Sequence, residues 1–534
     1  DSDTEVVLYL YMHRSTDFLK KLRGFFALAI YDAHEESLFI ARDRFGEKPL
    51  LYYKDGDRLL FGSELGALFS LGVPRELDYT SLYQYLQLTY VPAPASMVKG
   101  VKKLLPGHAL YVKNGKAQIT TWYRLPYDAG KVEQSVLPYP QQKAKLRKLL
   151  DQAVADRLVA DVPVGAFLSG GIDSSIVVGL AAGHVPNLQT FSVGFPDHPY
   201  FDETRYARLV ANKYNTSHTE VLLTSNDLHD HLLAMLDTLS EPFADSSALA
   251  VYALSRQVSR SLKVALSGDG ADELFGGYNK HLAEYKVLTG GVSARLAIQF
   301  ESLWKLLPKS RNSFAANKVR QLQRFAEAAS LTPVERYWYW ATWQPEGEAL
   351  KILHASHRAA AANRLYLARK SRLLDCLNKN HHDLNNVLCA DWQLVLANDM
   401  LPKIDLMGMA NGLEIRSPYL DHRLVKFAFS MPARYKVNKD GQKRLLTDTF
   451  QDLLPDKLLT RPKKGFEVPL KDFLAVKAQG LVQELLSDQL IQQQGIFDVE
   501  QIRQVRKSIA TAKAQHTTLW SVLVFQYWWQ KYMY

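Results

Sequence analysis

The chain is poor in cysteine: only Cys376 and Cys389 occur in 534 residues. Two are too few for a disulfide framework or a zinc cluster, and a reducing cytoplasm is the simple expectation. No apolar run approaches the roughly 18 residues a membrane helix needs. The opening residues, Asp1–Glu5, are acidic and polar, so no signal-peptide pattern stands there. Long blocks of one charge sign are also missing. Lys and Arg exceed Asp and Glu by 10, but they are spread along the chain, and the densest group, Arg461-Pro462-Lys463-Lys464, is short. That excess suits a mildly basic enzyme gathering anionic small molecules. It offers no basic arm or RNA-binding signature of the kind a nucleic-acid partner calls for. Internal repeats and low-complexity tracts are lacking too.

Hydrophobic residues make up 47% of the chain, enough for a large core, and the length calls for more than one domain. The most informative stretch is Val164-Gly-Ala-Phe-Leu-Ser-Gly-Gly-Ile-Asp-Ser-Ser175. It predicts a buried strand, a glycine turn and a helix opened by capping residues. Such a turn aims backbone N–H groups at one point beside the positive end of a helix dipole, where a polyphosphate fits. No lysine follows the glycines, so this is not the Walker A pattern. A second segment, Val264-Ala-Leu-Ser-Gly-Asp-Gly-Ala-Asp-Glu273, predicts another strand and small-residue turn followed by acids. Two such turns at the carboxyl edge of one parallel sheet would face Asp173 and Asp272 across a phosphate chain, an arrangement suited to Mg²⁺. The plainer reading is that these acids only cap helices.

Ser169-Gly-Gly-Ile-Asp-Ser-Ser175 resembles the pyrophosphate loop of the ATP pyrophosphatases. With Ser267–Glu273, Asn398–Asp405, Gly412–Asp421 and Arg461–Phe466 in this order, the chain resembles the glutamine-dependent asparagine synthetases (B type). Gly24–Asp32 and Ala41–Gly46 are similar to a class II glutaminase domain. The resemblance implies an α/β protein: an incomplete N-terminal αββα sandwich, then a parallel-sheet ATP pyrophosphatase domain with a helical C-terminal part. The expected division is residues 1–126, a linker over 127–140, and 141–534. It also implies an ATP- and Mg²⁺-dependent ligase that makes asparagine from aspartate through an acyl-adenylate, with ammonia drawn from glutamine, and a homodimer.

By that resemblance, Ser169, Gly170, Gly171, Ser174 and Ser175 cradle pyrophosphate, and Leu168, Val193, Ser267 and Gly268 meet the nucleotide. Asp173 and Asp272 hold Mg²⁺, and Lys463 (or the adjacent Lys464) stabilises charge at the α-phosphate. Arg256 and Arg416 are candidates for the acceptor's carboxylates, with Ser246 a weaker one. Arg416 serves equally well as an ion-pair partner of Glu414 or Asp421. Asp399, Lys403 and Asp405 either line the site or hold a helix bundle together. Asp3 matches the aspartate that binds the α-amine of glutamine, or else belongs to a helix start. His381, His382 and Asp383 lack further ligands at suitable spacing and read as a solvated loop.

The sequence departs from the family at residue 1, an Asp where a class II glutaminase has its nucleophilic cysteine. The expectation is that these residues belong to a longer chain, because half a sandwich exposes sheet edges and an apolar face. As written, the sequence supports ammonia-dependent synthesis only. The rival readings are a synthetase that amidates another acid or closes a β-lactam or peptide amide, a tRNA-modifying pyrophosphatase, and a non-catalytic nucleotide sensor.

Overall fold

The computed structural model describes residues 2–132, 137–290, 298–300, 304, 307, 314–378, 383–461, 468, 473–474, 478–508 and 516–534. Lys463, Lys464, His381 and His382 lie outside the described residues.

The N-terminal third forms two small antiparallel sheets. Strands β1 (Ala27–Asp32), β2 (Ser37–Arg42), β6 (His108–Lys113) and β7 (Lys116–Thr121) make one sheet; β3 (Leu51–Asp55), β4 (Arg58–Gly62) and β5 (Lys102–Lys103) make the other. The short apolar runs at 38–41, 50–53 and 59–62 are thus strands, as their spacing predicts. Arg42 and Asp43 anchor the turn that follows β2. The Arg42 guanidinium donates to the carbonyls of Gly46, Lys48 and Leu104, and the Asp43 carboxylate accepts four backbone N–H groups from residues 45–48. Helix Asp3–Arg14 buries none of its residues, and Val6, Tyr9 and Met12 are more than half exposed. All six residues of β7 are exposed.

The larger sheet is parallel and has five strands: β8 (Val164–Phe167), β9 (Gln189–Gly194), β10 (Ser217–Leu222), β11 (Val264–Leu266) and β12 (Glu414–Arg416), in spatial order β10-β9-β8-β11-β12. From β8 the chain builds outward through β9 to β10, then returns to lay β11 against the other edge of β8. The order therefore reverses between β8 and β11, the point where open α/β sheets take their ligands. Helix Ile172–His184, rich in Val, Ile and Ala, follows β8 and buries residues 174–181 continuously. Leu146, Leu149, Leu150, Ala153, Val154 and Leu158 recur at helical spacing and lie in a helix of 20 residues, Tyr139–Leu158. Beyond Tyr278 the chain is mainly helical, with a π-helical stretch at Trp392–Met400. β12 is the departure: three residues, two of them charged, which no apolar run announces.

The largest core cluster spans both parts of the molecule, while two small clusters, around Phe18 and Phe39 and around Ile40 and Leu110, stand apart from it in the N-terminal sheets. The largest joins Leu82, Tyr85, Leu86 and Met97 of the N-terminal third to Val177, Leu266, Leu388 and Trp520. Helix Tyr79–Leu88, buried from Thr80 to Leu88, carries this contact, and Tyr85 donates to the Ser521 carbonyl at 2.7 Å. The C-terminal aromatic segment is docked on the core, with Trp520 and Trp528 1% exposed within helix His516–Tyr532. No helix among the described residues is long and apolar enough to cross a membrane. Cys376 and Cys389 are joined as a disulfide, where the expectation of a reducing compartment has them as thiols.

A buried ion pair ties the helical part together: Arg336 donates to both Glu284 oxygens at 2.7 and 2.6 Å, with both side chains about 5% exposed or less. Removing one partner leaves a buried charge uncompensated. Arg336→Met is expected to cost about 3–5 kcal/mol in chemical denaturation, and Glu284→Leu on the same chain to recover most of that loss. An unchanged midpoint for the single variant would contradict the pairing.

Candidate active site at the β8–β11 switch point

The loop after β8 is closed on itself by its own hydroxyls. Ser169 N donates to Ser174 Oγ at 3.3 Å, the two Oγ atoms lie 3.0 Å apart, and Gly171 N donates to Ser169 Oγ at 3.3 Å. Gly170 has φ +71° and packs so tightly that a Cβ would meet Ala207 N at 2.6 Å, so only glycine fits. Arg461 clamps the loop from outside: it donates to the Gly170 carbonyl at 3.1 Å, pairs with Glu203 and stacks 4.2 Å over Tyr206.

The loop after β11 comes directly alongside. A Cβ on Gly268 would lie 2.9 Å from Ser174 N and 3.0 Å from Asp173 Cβ. The missing side chain is therefore what lets the two loops touch. Asp173 opens the helix after β8, and Asp272 lies in the first turn of the short helix Ala271–Phe275 after β11. Their carboxylates both reach the ammonium of Lys443. Nζ lies 2.6 and 2.5 Å from the two Asp173 oxygens and also pairs with Asp272 Oδ1. All three side chains are at least four-fifths buried.

Two facing carboxylates that already share a cation fit a divalent ion whose remaining ligands are phosphate oxygens and water. No group of three or more His, Cys, Asp or Glu side chains among the described residues forms a metal cage by itself. Asp173 and Asp272 are the residues that would hold Mg²⁺, with nucleotide supplying the rest of its shell.

Neighbouring acids are tuned by burial. Asp269 is raised above its ordinary value by burial, against the pull of Lys403, and the charges of Asp272 and Asp173 add to the rise. Lys403 pairs with Asp245 at 2.8 Å. Burial opposes its charge, but Asp245, Asp399 and Asp269 outweigh that and raise it. Burial, and then the Asp245 charge, push Asp399 well above the carboxylate range. The Asp399–Lys403 segment thus packs against the loop before helix Ser247–Val258 and borders the site, while Asp405 reaches the N-terminal third through Lys48 at 2.6 Å.

The remaining candidates are spread more widely. Arg256 sits exposed near the far end of helix Ser247–Val258, beside His231 at 3.5 Å. Ser246, at the start of that helix, is nearer the loops and partly exposed. Arg416 donates to Glu414 and to the carbonyls of Arg157 and Val159, so the ion-pair reading holds for it. Leu168 and Val193 lie at the carboxyl ends of β8 and β9. Asp3 stands in the exposed first turn of helix Asp3–Arg14, whose N-cap is Ser2.

Sequence reasoning missed Lys443. It follows Gly441-Gln442 in the turn before helix Arg444–Thr449, where a lone lysine carries no signal. Ser417 and Tyr419 were also unassigned. Ser417 Oγ donates to the Asp269 carbonyl at 2.5 Å, and Tyr419 Oη to the Asp173 carbonyl at 3.3 Å, so both brace the acid-bearing loops.

A parallel sheet with two touching acid-and-glycine loops at its switch point, extended by a helical part, defines an α/β protein of the PP-loop type. Residues 145–530 match the family described as asparagine synthase, and residues 1–123 match a glutamine amidotransferase domain. The chain belongs to the asparagine synthase family, and with it to the ATP-dependent amide-forming ligases. It is 29% identical to asparagine synthetase (glutamine-hydrolyzing) 1 of Bacillus subtilis over 99% of this chain and 80% of that protein. Identity to asparagine synthetase (glutamine-hydrolyzing) 3 of the same organism is 30%, over 87% of this chain and 70% of that one. Amidase chyE of Penicillium rubens is 25% identical over 93% of this chain and 77% of its own length.

Glu273 gives a pH test. Burial first, then the Asp272 charge, raise its carboxyl to about 8, while Tyr278 Oη donates to it at 2.7 Å. The folded protein therefore holds a proton that the unfolded chain releases near 4.5. The stability this contributes is complete at acid pH and is lost as pH rises towards about 8. Relative to Glu273→Gln, the wild-type chain is expected to lose stability across that window in denaturant titrations. Parallel pH profiles would contradict the assignment.

Proposed function

We propose that the chain uses ATP to activate the side-chain carboxylate of aspartate and converts it to asparagine, releasing AMP and pyrophosphate. The observation that supports this reading most is the convergence of Asp173 and Asp272 from adjoining loops at the switch point, in a chain of the asparagine synthase family. Amide formation from a carboxylate in water is uphill, so the acid is first joined to a leaving group. The carboxylate attacks the α-phosphorus, the bond to the bridging oxygen breaks, and pyrophosphate departs. Ammonia then adds to the acyl carbon of β-aspartyl-AMP, loses a proton, and AMP leaves.

Positioning and charge neutralisation are the protein's part. Ser169, Gly170, Gly171, Ser174 and Ser175 cradle the departing pyrophosphate with hydroxyls and N–H groups at the start of helix Ile172–His184. Leu168, Val193, Ser267 and Gly268 contact the nucleotide, and Lys463 supplies positive charge near the α-phosphate. Mg²⁺ held by Asp173 and Asp272 would neutralise phosphate charge. In this reading residues 1–126 deliver ammonia from glutamine, with Asp3 facing the glutamine amine, and 127–140 link them to the ligase part, 141–534. Free ammonia serves in its place. The substrates are small molecules, the setting is the cytoplasm, and the protein works as a homodimer.

A second acceptor is favoured by one observation. Arg416, one of the cations offered to the carboxylates of aspartate, is engaged by Glu414, and Arg256, the other, stands exposed beside His231. An acid other than aspartate, or an intramolecular amide closure, would use the same loops with a different acceptor pocket.

Pyrophosphate release measured with ATP, ammonia and a panel of acids separates the two. Aspartate is expected to give the highest turnover; silence with aspartate and release with another acid would move the assignment to the second reading. Asp173→Ala is expected to lower release by about a thousandfold, the scale at which losing one charge-stabilising group in a dry site is felt. Unchanged turnover would refute its place in the site.

A further inference from the structure

The fold builds a dedicated berth for Lys443. Its backbone has φ +53°, a left-handed conformation that costs a non-glycine residue energy and persists only where surroundings impose it. The surroundings do so. Gln442 Nε2 donates to the carbonyls of Gly276 and Tyr278 at 3.3 and 2.7 Å, docking this turn on the one that follows the acid-bearing helix. Arg444 N is tied to the Lys436 carbonyl at 2.9 Å. Gly277 clears the path of the side chain: a Cβ there would lie 2.0 Å from Lys443 Cε and 1.8 Å from Asp272 Oδ1. Two glycines, Gly268 and Gly277, thus border an acid pair that shares the ammonium of Lys443.

This arrangement poses a conflict. The ammonium already lies on the oxygens that the proposed function gives to Mg²⁺, and both carboxylates are more than four-fifths buried. Two buried like charges with no cation between them repel strongly. A divalent ion arriving there meets a positive charge at hydrogen-bond distance, and the two cations cannot share the same oxygens. A polyphosphate changes the balance, since it brings several negative charges to which a displaced ammonium can turn.

Resting on the reading of Asp173 and Asp272 as the metal ligands, we propose that Lys443 is a resident counter-cation of this pair. It excludes a free divalent ion and gives way only when the ion arrives with a nucleotide. Lys443 is in this sense a positioning residue that makes metal and nucleotide binding reinforce each other, and the reinforcement is the same from either side.

The test uses Mn²⁺ alone, without nucleotide, titrated into the full chain and followed by the paramagnetic resonance signal of the free ion. Wild type is expected to bind it weakly. Lys443→Met and Lys443→Gln are each expected to bind one Mn²⁺ about tenfold more tightly, because the competing charge is gone. Adding Asp173→Asn to either variant is expected to abolish the gain. Mn²⁺ is also expected to raise the Tm of the Lys443 variants more than that of wild type, a response that a merely structural lysine would not produce. Equal Mn²⁺ affinity in wild type and both Lys443 variants, lost in each with Asp173→Asn, would overturn the competition while leaving the metal ligands in place. Binding indifferent to Asp173→Asn throughout would overturn the metal reading and the proposal with it.

Discussion

Everything at the candidate site depends on β11 lying against β8. That parallel pairing, Val264 to Val164 and Leu266 to Ala166, brings two loops from segments nearly a hundred residues apart to one sheet edge. Gly268 then lets their backbones touch, because any side chain there would strike Asp173 and Ser174. The result is a pair of buried carboxylates facing each other, an arrangement that costs energy unless a cation stands between them. Lys443 supplies that cation, and its strained backbone and glycine-lined berth follow from the same need. The site is a place of concentrated negative charge built to be neutralised.

The surrounding helices serve that arrangement. Ser417 and Tyr419, just beyond β12, brace the carbonyls of Asp269 and Asp173. Arg461 pins the glycine turn through the Gly170 carbonyl. The buried Asp245–Lys403 ion pair borders the site, with Asp399, raised by burial, beside it. The largest core cluster reaches into helix Tyr79–Leu88 and so ties the part that resembles a glutaminase to the ligase part, while the N-terminal sheets keep two small clusters of their own.

Much of this was legible in the sequence, and the reasons are local. Ser169–Ser175 and Ser267–Glu273 declare themselves because strand, turn and helix cap each need particular residue types within a few positions. The strands β2, β3 and β4 were visible from short apolar runs between turn residues. What was hidden depends on distant packing. β12 is three residues long and carries two charges, and only its neighbour β11 makes it a strand. Lys443 gains its role from a carboxylate 270 positions away, which no spacing rule connects. Arg416 carried two readings in the sequence, and its surroundings pair it with Glu414, while Arg256 stands exposed beside His231.

The most direct test of the central claim is a crystal structure of the protein with Mn²⁺ and a nucleotide whose α,β bridge cannot be cleaved, with the metal located by its anomalous signal. The account predicts Mn²⁺ bound by Asp173 and Asp272, the β- and γ-phosphates against residues 169–175, and the Lys443 ammonium moved off the acid pair. A triphosphate bound away from the β8–β11 edge, or a metal peak remote from both aspartates, would contradict it.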